Sequence, residues 1–406
     1  MEKCRLDIEL AEAIALIAGT TPLDGTETTP LDHALGRVLV ADIFSRIDQP
    51  PFNRSALDGY ALRSCDAAAA SPESPVTLAV VGKLHCGDAP FVGVSGGQAV
   101  RIMTGAPIPG GCDCVIMQEE IHTGNAVDAE QIVICRSLSP HKNVCFRGED
   151  FKSGERLLKA GSRINAAAIG ALSSAGLTEI SVRRQPRIAL VTTGDELVQP
   201  GQTLPPGKIY SGNLPLLAAR LCELGLAPCR ELITADNPAE TANTIREIMR
   251  DADALITTGG VSVGEKDILN EVIPLLGARQ VFHGVCLKPG SPAMFSFFKG
   301  KPILSLSGNP FAAAATFELL ARPLLAALCG DPALLPLKFP AVMESAFDKV
   351  SPSPRFARGT FANGCVTLPH SHSSGQLLSL AECNCLVEIP PDTRVKHGDT
   401  LSVYLL

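Results

Sequence analysis

No run of lysine and arginine occurs in the 406 residues, and the formal net charge is −7. This balance argues against broad nucleic-acid binding, which normally uses a basic patch. No uninterrupted apolar run reaches the length of a membrane span, and the charged opening MEKCRLDIE lacks the apolar core of a signal peptide. We therefore expect a cytoplasmic protein that binds neither nucleic acid nor membrane and holds any anionic ligand in a local site.

Two common phosphate-binding motifs are also missing, namely the G-x-G-x-x-G dinucleotide motif and the Walker A loop. Phosphate binding in this chain would have to use other loops. The 14 cysteines are scattered, and their only close pairs, Cys112/Cys114 and Cys383/Cys385, lie in strand-like contexts. We interpret them as reduced core thiols, in preference to disulfides or metal ligands.

Hydrophobic residues make up 46% of the chain, enough for a globular protein of about two to four domains. The spacing predicts an amphipathic helix from Asp7 to Ala18, and Pro75 to Ile134 reads as short strands with many turns. From Arg187 to Leu328, strands and helices alternate, which predicts a largely parallel, doubly wound sheet. The predicted strands are Ile188–Thr192, Glu231–Ala235, Ala254–Thr258, Gln280–Leu287 and Ile303–Ser307.

Three successive turns between Asp253 and Pro310 carry the strongest signal for a site. They contain Gly259-Gly260 with Ser262 and Asp267, then Lys288-Pro289-Gly290-Ser291-Pro292, and then Gly308-Asn309-Pro310 before a long apolar helix. Glycines let the backbone present consecutive N–H groups to an anion, and the prolines stiffen the loop beside the lysine. Each turn alone is equally compatible with an ordinary αβ connection, but their succession favours an active site at one sheet edge.

Other strand ends add further candidate residues. These are Thr193-Gly194-Asp195-Glu196, Ser211-Gly212-Asn213 and Asp236-Asn237-Pro238. In the first part of the chain, Asp58-Gly59 forms a turn that displays the aspartate on a stiff loop. An Asx turn without chemistry explains that turn equally well, so spacing alone assigns Asp58 no role.

An ordered set of motifs resembles the MoeA-type molybdopterin molybdenumtransferases, a family related to the C-terminal part of gephyrin. The motifs are DGTETTPLDHALGRVLVADI, PPFNRSALDGYALR, RIMTGAPIPGGCDCVI, RGEDFKSGE, TTGDELVQPG, GKIYSGN, TTGGVSVGEKD, KPGSP and SGNPFAA. Single motifs such as GDEL are weak signals. The ordered set spans nearly the whole chain and is highly specific.

The resemblance implies an α/β multidomain fold with four parts. The parts are an N-terminal lobe (1–48 with 140–182), an inserted β-rich domain (49–139), a molybdopterin-binding, MogA-like domain with a doubly wound, mostly parallel sheet (183–332), and a C-terminal β-barrel (333–406). It also implies a homodimer. Molybdopterin adenylyltransferase and proteins that mature molybdoenzymes are candidate partners.

The implied reaction converts adenylylated molybdopterin and molybdate into molybdenum cofactor and AMP, with Mg²⁺ on the phosphoanhydride. The residues that match activity-associated family positions are Asp58, Thr104, Asp150, Asp267 and Lys288. Those that match ligand-binding positions are Gly259, Gly260, Ser262, Gly264, Ser291, Pro292, Arg358 and Ser374. Asp236 and Asp267 match metal-associated positions, and hard carboxylate oxygens suit magnesium.

Three positions depart from the family pattern. Ser211 stands where many members have an aspartate, Ser291 where a second basic residue is frequent, and Asn53-Arg54 where Asp-Asn is frequent. The first two keep open a non-catalytic cofactor carrier or scaffold on the same fold. A related enzyme that inserts tungstate or adenylylates the pterin is a third alternative, although an adenylylating enzyme needs only the sheet domain.

Overall fold

The computed structural model describes residues 4–122, 130–262 and 267–406. The chain forms two compact units. The first combines Met1–Glu27 with Arg183–Leu406, and the second is Thr28–Val182. The first unit is therefore assembled from both ends of the chain, while the second is continuous.

The described residues contain strands and helices with the following limits. In chain order the strands are β1 (Arg5–Glu9), β2 (Thr26–Pro30), β3 (Ile43–Phe44), β4 (Arg54–Ser55), β5 (Gly59–Leu62), β6 (Val76–Leu84), β7 (Gln98–Ile102), β8 (Cys114–Met117), β9 (Gln131–Ile134), β10 (Val144–Cys145), β11 (Arg156–Leu158), β12 (Glu179–Arg183), β13 (Ile188–Thr193), β14 (Leu197–Val198), β15 (Ile209–Tyr210), β16 (Pro228–Thr234), β17 (Ala254–Thr258), β18 (Arg279–Cys286), β19 (Met294–Phe298), β20 (Lys301–Leu306), β21 (Lys338–Met343), β22 (Arg355–Ala362), β23 (Cys365–Thr367), β24 (Cys385–Ile389) and β25 (Thr400–Leu405). The α-helices are α1 (Leu10–Ala18), α2 (Ala166–Ser174), α3 (Asn213–Glu223), α4 (Pro238–Asp251), α5 (Leu269–Leu276), α6 (Pro310–Thr316), α7 (Arg322–Cys329) and α8 (Leu378–Ala381).

A seven-stranded sheet forms the centre of the first unit, in the order β1-β18-β19-β20-β17-β13-β16. Strands β20, β17, β13 and β16 are parallel to one another, so their carboxyl ends meet at one edge. Strands β13 and β17 are buried at every residue, as expected for a parallel sheet covered on both faces.

Helices cover both faces of this sheet. Ile188, Leu190 and Ile256 share one core with α1, α3, α6 and α7, whereas their neighbours Ala189 and Leu255 share the other with α4 and α5. Side chains alternate between faces along a strand, so each strand contributes to both cores. The predicted doubly wound sheet is confirmed.

Two strands of the sheet differ from the sequence prediction. The helix predicted from Asp7 begins only at Leu10, because Arg5–Glu9 forms β1 and pairs in parallel with β18. Strand β19, which the sequence analysis did not predict, lies antiparallel to both β18 and β20. The first error concerns a segment whose pairing partner is distant in sequence, whereas β19 pairs with β18 and β20, its immediate neighbours along the chain.

The predicted C-terminal barrel is confirmed as a closed barrel of strands β21-β23-β22-β24-β25. Its interior is a separate apolar core that includes Met343, Val366, Val387 and Val403. Phe356 and Leu386 of the barrel instead pack into the core shared with α3 and α6. The barrel and the sheet thus share one hydrophobic contact within the first unit.

The long apolar helix predicted after Pro310 is present as α6, a π-helical turn at Phe317–Ala321, and α7. In the part of the chain that the structure describes, Pro310–Cys329 is the one helix long and apolar enough to cross a membrane. In its most apolar 18-residue window, 94% of the residues are buried inside the protein. The helix therefore forms part of the protein core.

The second unit contains the inserted β structure. Its five-stranded sheet has the order β8-β5-β7-β6-β9 and spans Gly59 to Ile134, within the predicted 49–139 range. Opposite sheet faces form two cores, one around Leu62 and Ile116 and the other around Val100 and Val115. The four-part domain limits remain a prediction.

All 14 cysteines carry free thiols. Burial raises the pKa of Cys112, Cys114 and Cys385 to about 12, so these thiols are protonated at neutral pH. A protonated thiol is a poor metal ligand and a poor nucleophile.

Candidate active site

The carboxyl ends of β13, β17 and β20 open into a cavity of about 630 Å³ in the first unit. Ligands of α/β proteins bind at this edge because the strand-to-helix turns converge there. Seven predicted site residues line the cavity, namely Asp236, Gly259, Gly260, Ser262, Asp267, Ser291 and Pro292. Gly264 lies outside the described residues.

The floor of the cavity consists of turns that pack too closely for side chains. Gly259 has φ +88°, and a Cβ built on it would lie 2.5 Å from the carbonyl oxygen of Thr193. A Cβ on Gly260, at φ +60°, would lie 2.9 Å from Thr193 Oγ1, and one on Gly308 would lie 3.2 Å from Gly259 Cα. Three strand ends thus meet through glycine backbone, which lets a ligand approach the main chain.

We expect Gly259→Ala to disrupt the cavity. The substitution places a methyl group against the Thr193 carbonyl and forces an L-residue to positive φ, at a cost of about 1–3 kcal/mol. Urea unfolding should show this loss, and ligand affinity should fall with it. Gly225→Ala is the control, because it carries the same φ strain (+78°) with nothing within 4 Å of the added Cβ. Equal ligand affinity in the two variants would contradict the steric argument.

Carboxylates follow three of the parallel strands, with Asp267 after β17, Glu196 after β13 and Asp236 after β16. Asp236, which follows β16, and Asp195, which follows β13, form reciprocal hydrogen bonds, since each side chain accepts from the other's backbone N–H, at 3.3 and 3.0 Å. Asp236 and Asp267 line the cavity, as does Glu196. No preformed cluster of three metal-ligating side chains occurs among the described residues. Asp236 and Asp267 offer hard carboxylate oxygens, the kind of ligand that Mg²⁺ binds in small number together with water.

Several neutral oxygens of the cavity are buried without a hydrogen-bond partner among the described residues. They are Thr193 Oγ1, Ser211 Oγ and Asn213 Oδ1. A buried polar atom left unpaired costs about 1–3 kcal/mol. Three such atoms in one cavity mark it as a surface shaped for a polar ligand.

The proline loop forms another wall. Pro289, Gly290, Ser291 and Pro292 line the cavity, while Lys288 directly before them is exposed. The backbone of Lys288 bridges to the barrel, donating to the Pro354 carbonyl at 2.8 Å and accepting from Phe356 N–H at 2.7 Å. A Cβ on Gly290 would lie 2.3 Å from Thr316 Cγ2. The loop is therefore fixed between the barrel and α6, with the ammonium at its start.

Arg358 and Ser374 come from the C-terminal barrel region and do not line the cavity. The Arg358 guanidinium is fully buried, stacks 3.9 Å from the centre of the Phe311 ring, and donates to Ser379 Oγ at 2.8 Å and to the carbonyls of Ser373 and Gln376. The Ser374 carbonyl accepts from Phe311 N–H at 3.0 Å. The structure therefore shows both residues attaching the 373–379 segment to the start of α6.

The same barrel region is rich in positive charge. Burial, followed by the cations Arg358, Lys349 and Arg355, lowers the pKa of His372 to about 4. His372 is therefore neutral at physiological pH. Its buried Nδ1 and the buried Nε atoms of Arg355 and Arg358 have no hydrogen-bond partner among the described residues.

The second unit holds the remaining predicted residues. The Asp58 carboxylate accepts from the backbone N–H and the hydroxyl of Thr104, both at 2.7 Å. These two bonds are the main cause of the lowered pKa of Asp58. Asp150 is exposed, and its backbone N–H donates to Gln49. The structure thus joins Asp58 and Thr104 directly.

We expect Thr104→Val to raise the pKa of Asp58 towards its ordinary value of 3.8, because the variant loses the hydroxyl donor. The stability that Asp58 contributes is present above 3.8 and is lost as pH falls through its lower folded pKa, so the variant should lose acid resistance below about pH 4. NMR titration of labelled aspartate carboxyl carbons measures the shift. Thr104→Ser keeps the hydroxyl and is the control; an unchanged Asp58 titration in the valine variant would contradict the assignment.

The turns that contain Thr193, Glu196 and Asn213 were predicted from the sequence as candidates, but these three residues were assigned no role in the site. The wall formed by Leu197, Ile209 and Tyr210 was not predicted at all. Leu197 and Ile209 pair across the two-residue strands β14 and β15. Strands this short leave no hydrophobic periodicity to read.

Comparisons with known proteins cover nearly the whole chain. Family models for the MoeA N-terminal region (domain I and II), a probable molybdopterin binding domain and the MoeA C-terminal region (domain IV) match residues 8–176, 189–327 and 340–406. A molybdopterin molybdenumtransferase of Staphylococcus aureus (strain COL) is 34% identical over 407 residues, which are 99% of this chain and 96% of the relative. One of Staphylococcus epidermidis is 34% identical over 92% of this chain and 90% of the relative.

A solved structure gives the same result for the fold. The molybdopterin biosynthesis MoeA protein from Pyrococcus horikosii matches with a TM-score of 0.80 at 31% identity, over 98% of this chain and 99% of that one. The resemblance stated from the motifs is confirmed. The chain belongs to the MoeA family of molybdopterin molybdenumtransferases.

Proposed function

We propose that this chain inserts molybdate into adenylylated molybdopterin and releases AMP. Family membership supports molybdenum transfer in molybdenum cofactor biosynthesis. The observation that carries the proposal further is one cavity that combines the carboxylates Asp236 and Asp267 with a glycine floor and a rigid proline loop that starts at Lys288. The reaction needs these features, since a phosphoanhydride and an oxyanion must be bound side by side.

The glycine floor and the carboxylates would bind the phosphoanhydride. Gly259 and Gly260 allow close backbone approach, and Ser262 adds a polar group to the same wall. Asp236 and Asp267 would hold Mg²⁺, which when bound neutralises phosphate charge and polarises a phosphoryl oxygen. The residues themselves orient the phosphates and a water molecule for hydrolysis to AMP.

The proline loop would bind molybdate. Lys288 would provide a cation at the start of the fixed loop and Ser291 a hydroxyl donor, the two groups that a tetrahedral dianion requires. Arg358 and Ser374 would support this pocket by holding the 373–379 segment against α6. The positive charge of Lys349, Arg355 and Arg358 near His372 favours an oxyanion in this region.

We also propose that Asp58, Thr104 and Asp150 contribute to activity, that the protein acts as a homodimer and that it works in the cytoplasm. These proposals rest on the family resemblance. Light scattering coupled to size-exclusion chromatography tests the dimer. An upstream adenylyltransferase would supply the substrate and maturation proteins would accept the product, so both are candidate partners.

The test is AMP release from adenylylated molybdopterin by the purified protein with Mg²⁺, with and without molybdate. Molybdate-dependent release supports the proposal. Tight binding without release under any oxyanion would overturn it and favour a cofactor carrier, for which Ser211 and Ser291 in place of charged residues are the structural argument. Tungstate in a parallel reaction tests the tungstate-inserting alternative.

A further inference from the structure

Asn213 opens helix α3 with a side chain whose orientation is fixed. The residue is only 7% exposed and lines the cavity. Its Nδ2 donates to the Gly308 carbonyl at 2.7 Å. Because a carbonyl can only accept, the NH₂ end of the amide must face Gly308, and Oδ1 must be the other end.

The Oδ1 atom is buried and has no donor among the described residues. An amide fixed in this way cannot rotate to offer its NH₂ group to a ligand without losing the Gly308 bond. Its free end is therefore an acceptor that selects N–H or O–H donors. The hydroxyls of Thr193 and Ser211, which are 4% and 2% exposed and also unpartnered, line the same cavity.

The Asn213 amide lies apart from Asp236 in the order of the sheet, whereas Asp267 follows β17, the strand beside β20. Asn213 is tied to the turn after β20, whereas Asp236 follows β16, and strands β17 and β13 lie between them. Ser211, which also lines the cavity, adds a second uncharged polar group. Beside its carboxylates, the cavity therefore offers a buried, uncharged acceptor suited to an uncharged polar group.

We propose that Asn213 Oδ1 accepts a hydrogen bond from the exocyclic amino group of the substrate heterocycle, making Asn213 a specificity residue for amino-substituted rings. The inference rests on the proposed function, because adenylylated molybdopterin carries such an amino group on both adenine and pterin. Replacing the amino group by an oxo group would place two acceptors face to face in a buried site, which is strongly unfavourable.

Calorimetric binding to the full-length protein tests this with two ligand pairs. AMP is compared with IMP, in which oxo replaces the adenine amino group, and pterin with lumazine, in which oxo replaces the pterin amino group. In the unmodified protein one pair should differ in Kd by on the order of 10-fold or more. The pair that differs identifies which ring lies against Asn213.

Two variants separate recognition from support of the turn. Asn213→Ala removes both the acceptor and the Gly308 bond, and the Kd ratio should fall to about one. Asn213→Asp also loses the Gly308 donor but keeps acceptor oxygens, so the preference for the amino ligand should persist. If Asn213 only supported the turn, both variants would weaken both ligands of a pair equally. Asn165→Ala, which removes the cap of α2 in the second unit, should leave both Kd ratios unchanged.

Equal affinities within both ligand pairs in the unmodified protein would overturn the inference, as would an unchanged ratio in Asn213→Ala. These readouts need neither molybdate nor turnover. Discrimination without molybdate-dependent AMP release would therefore refute the proposed function and leave the amino-group site in place. Molybdate-dependent AMP release without discrimination between the ligands of either pair would support the proposed function and refute the amino-group site.

Discussion

Asp267→Asn should lower molybdate-dependent AMP release on the order of 100-fold or more. The substitution keeps the shape of the side chain and removes the negative charge that we assign to the metal. Asp267 lines the cavity just before the start of α5. An amide oxygen is a weaker ligand for Mg²⁺ than a carboxylate, so the variant should also need more Mg²⁺ to reach half of its maximal rate.

Single-turnover AMP release at several Mg²⁺ concentrations measures both effects. Glu271→Gln is the matched control, because it removes the same charge from a nearby exposed residue of α5 that does not line the cavity. Its rate should stay within about twofold of the unmodified protein, as expected for an exposed charge outside the site. Equal rates for Asp267→Asn and the unmodified protein would remove Asp267 from the proposed metal site.

Glu318→Gln should destabilise the protein by about 3–5 kcal/mol, because it removes the buried counter-charge shared by Arg220 and Arg322. Glu318 is 2% exposed in the π-helical turn. Its carboxylate accepts from Arg220 Nε at 2.9 Å, Arg220 Nη2 at 3.1 Å and Arg322 Nη1 at 3.0 Å. Burial is the largest single influence and lowers the pKa of Arg220, but the hydrogen bonds and charges of Glu318 and Glu223 together raise that pKa above its ordinary value.

Urea unfolding followed by circular dichroism measures this loss. Glu223→Gln provides the control, since Glu223 pairs with the same Arg220 but its side chain is 61% exposed, and exposed pairs contribute only about 0–1 kcal/mol. Arg322 also donates to the Leu334 carbonyl at 2.7 Å. Displacement of Arg322 in the variant should therefore also destabilise the segment before β21. Equal unfolding midpoints for the two variants would show that the buried guanidinium groups do not depend on Glu318.

The sequence was sufficient to predict the sheet, the barrel and the edge at which the turns converge. Strands such as Ala254–Thr258 are continuous apolar runs that end in glycine, a pattern that depends only on local residues. Strand β1 could not be predicted in this way, because RLDIELAEA fits a helix until Arg5–Glu9 finds β18. Non-local pairing overrides local propensity there.

The same distinction between local patterns and non-local contacts applies to the residues of the candidate site. Asp236, Gly259 and Asp267 were predicted from turns and motifs, and they line the cavity. The sequence could not show that Arg358 is buried against Phe311, since a motif identifies a residue but not the direction of its side chain. The fixed amide of Asn213 depends on the Gly308 carbonyl, which lies 95 positions further along the chain.

Strand β1 leaves the ribosome long before the strand with which it pairs. Arg5 pairs with Phe282, and Ile8 with Val285, so the whole of Thr28–Val182 is synthesised in between. Domains generally acquire structure as they emerge from the ribosome. The continuous second unit can therefore fold before the first twenty-seven residues have the strand with which β1 pairs. A fragment starting at Arg183 would lack Ile8, Ala13 and Ile17 of the sheet core and would expose β18 as an unpaired edge, which favours aggregation.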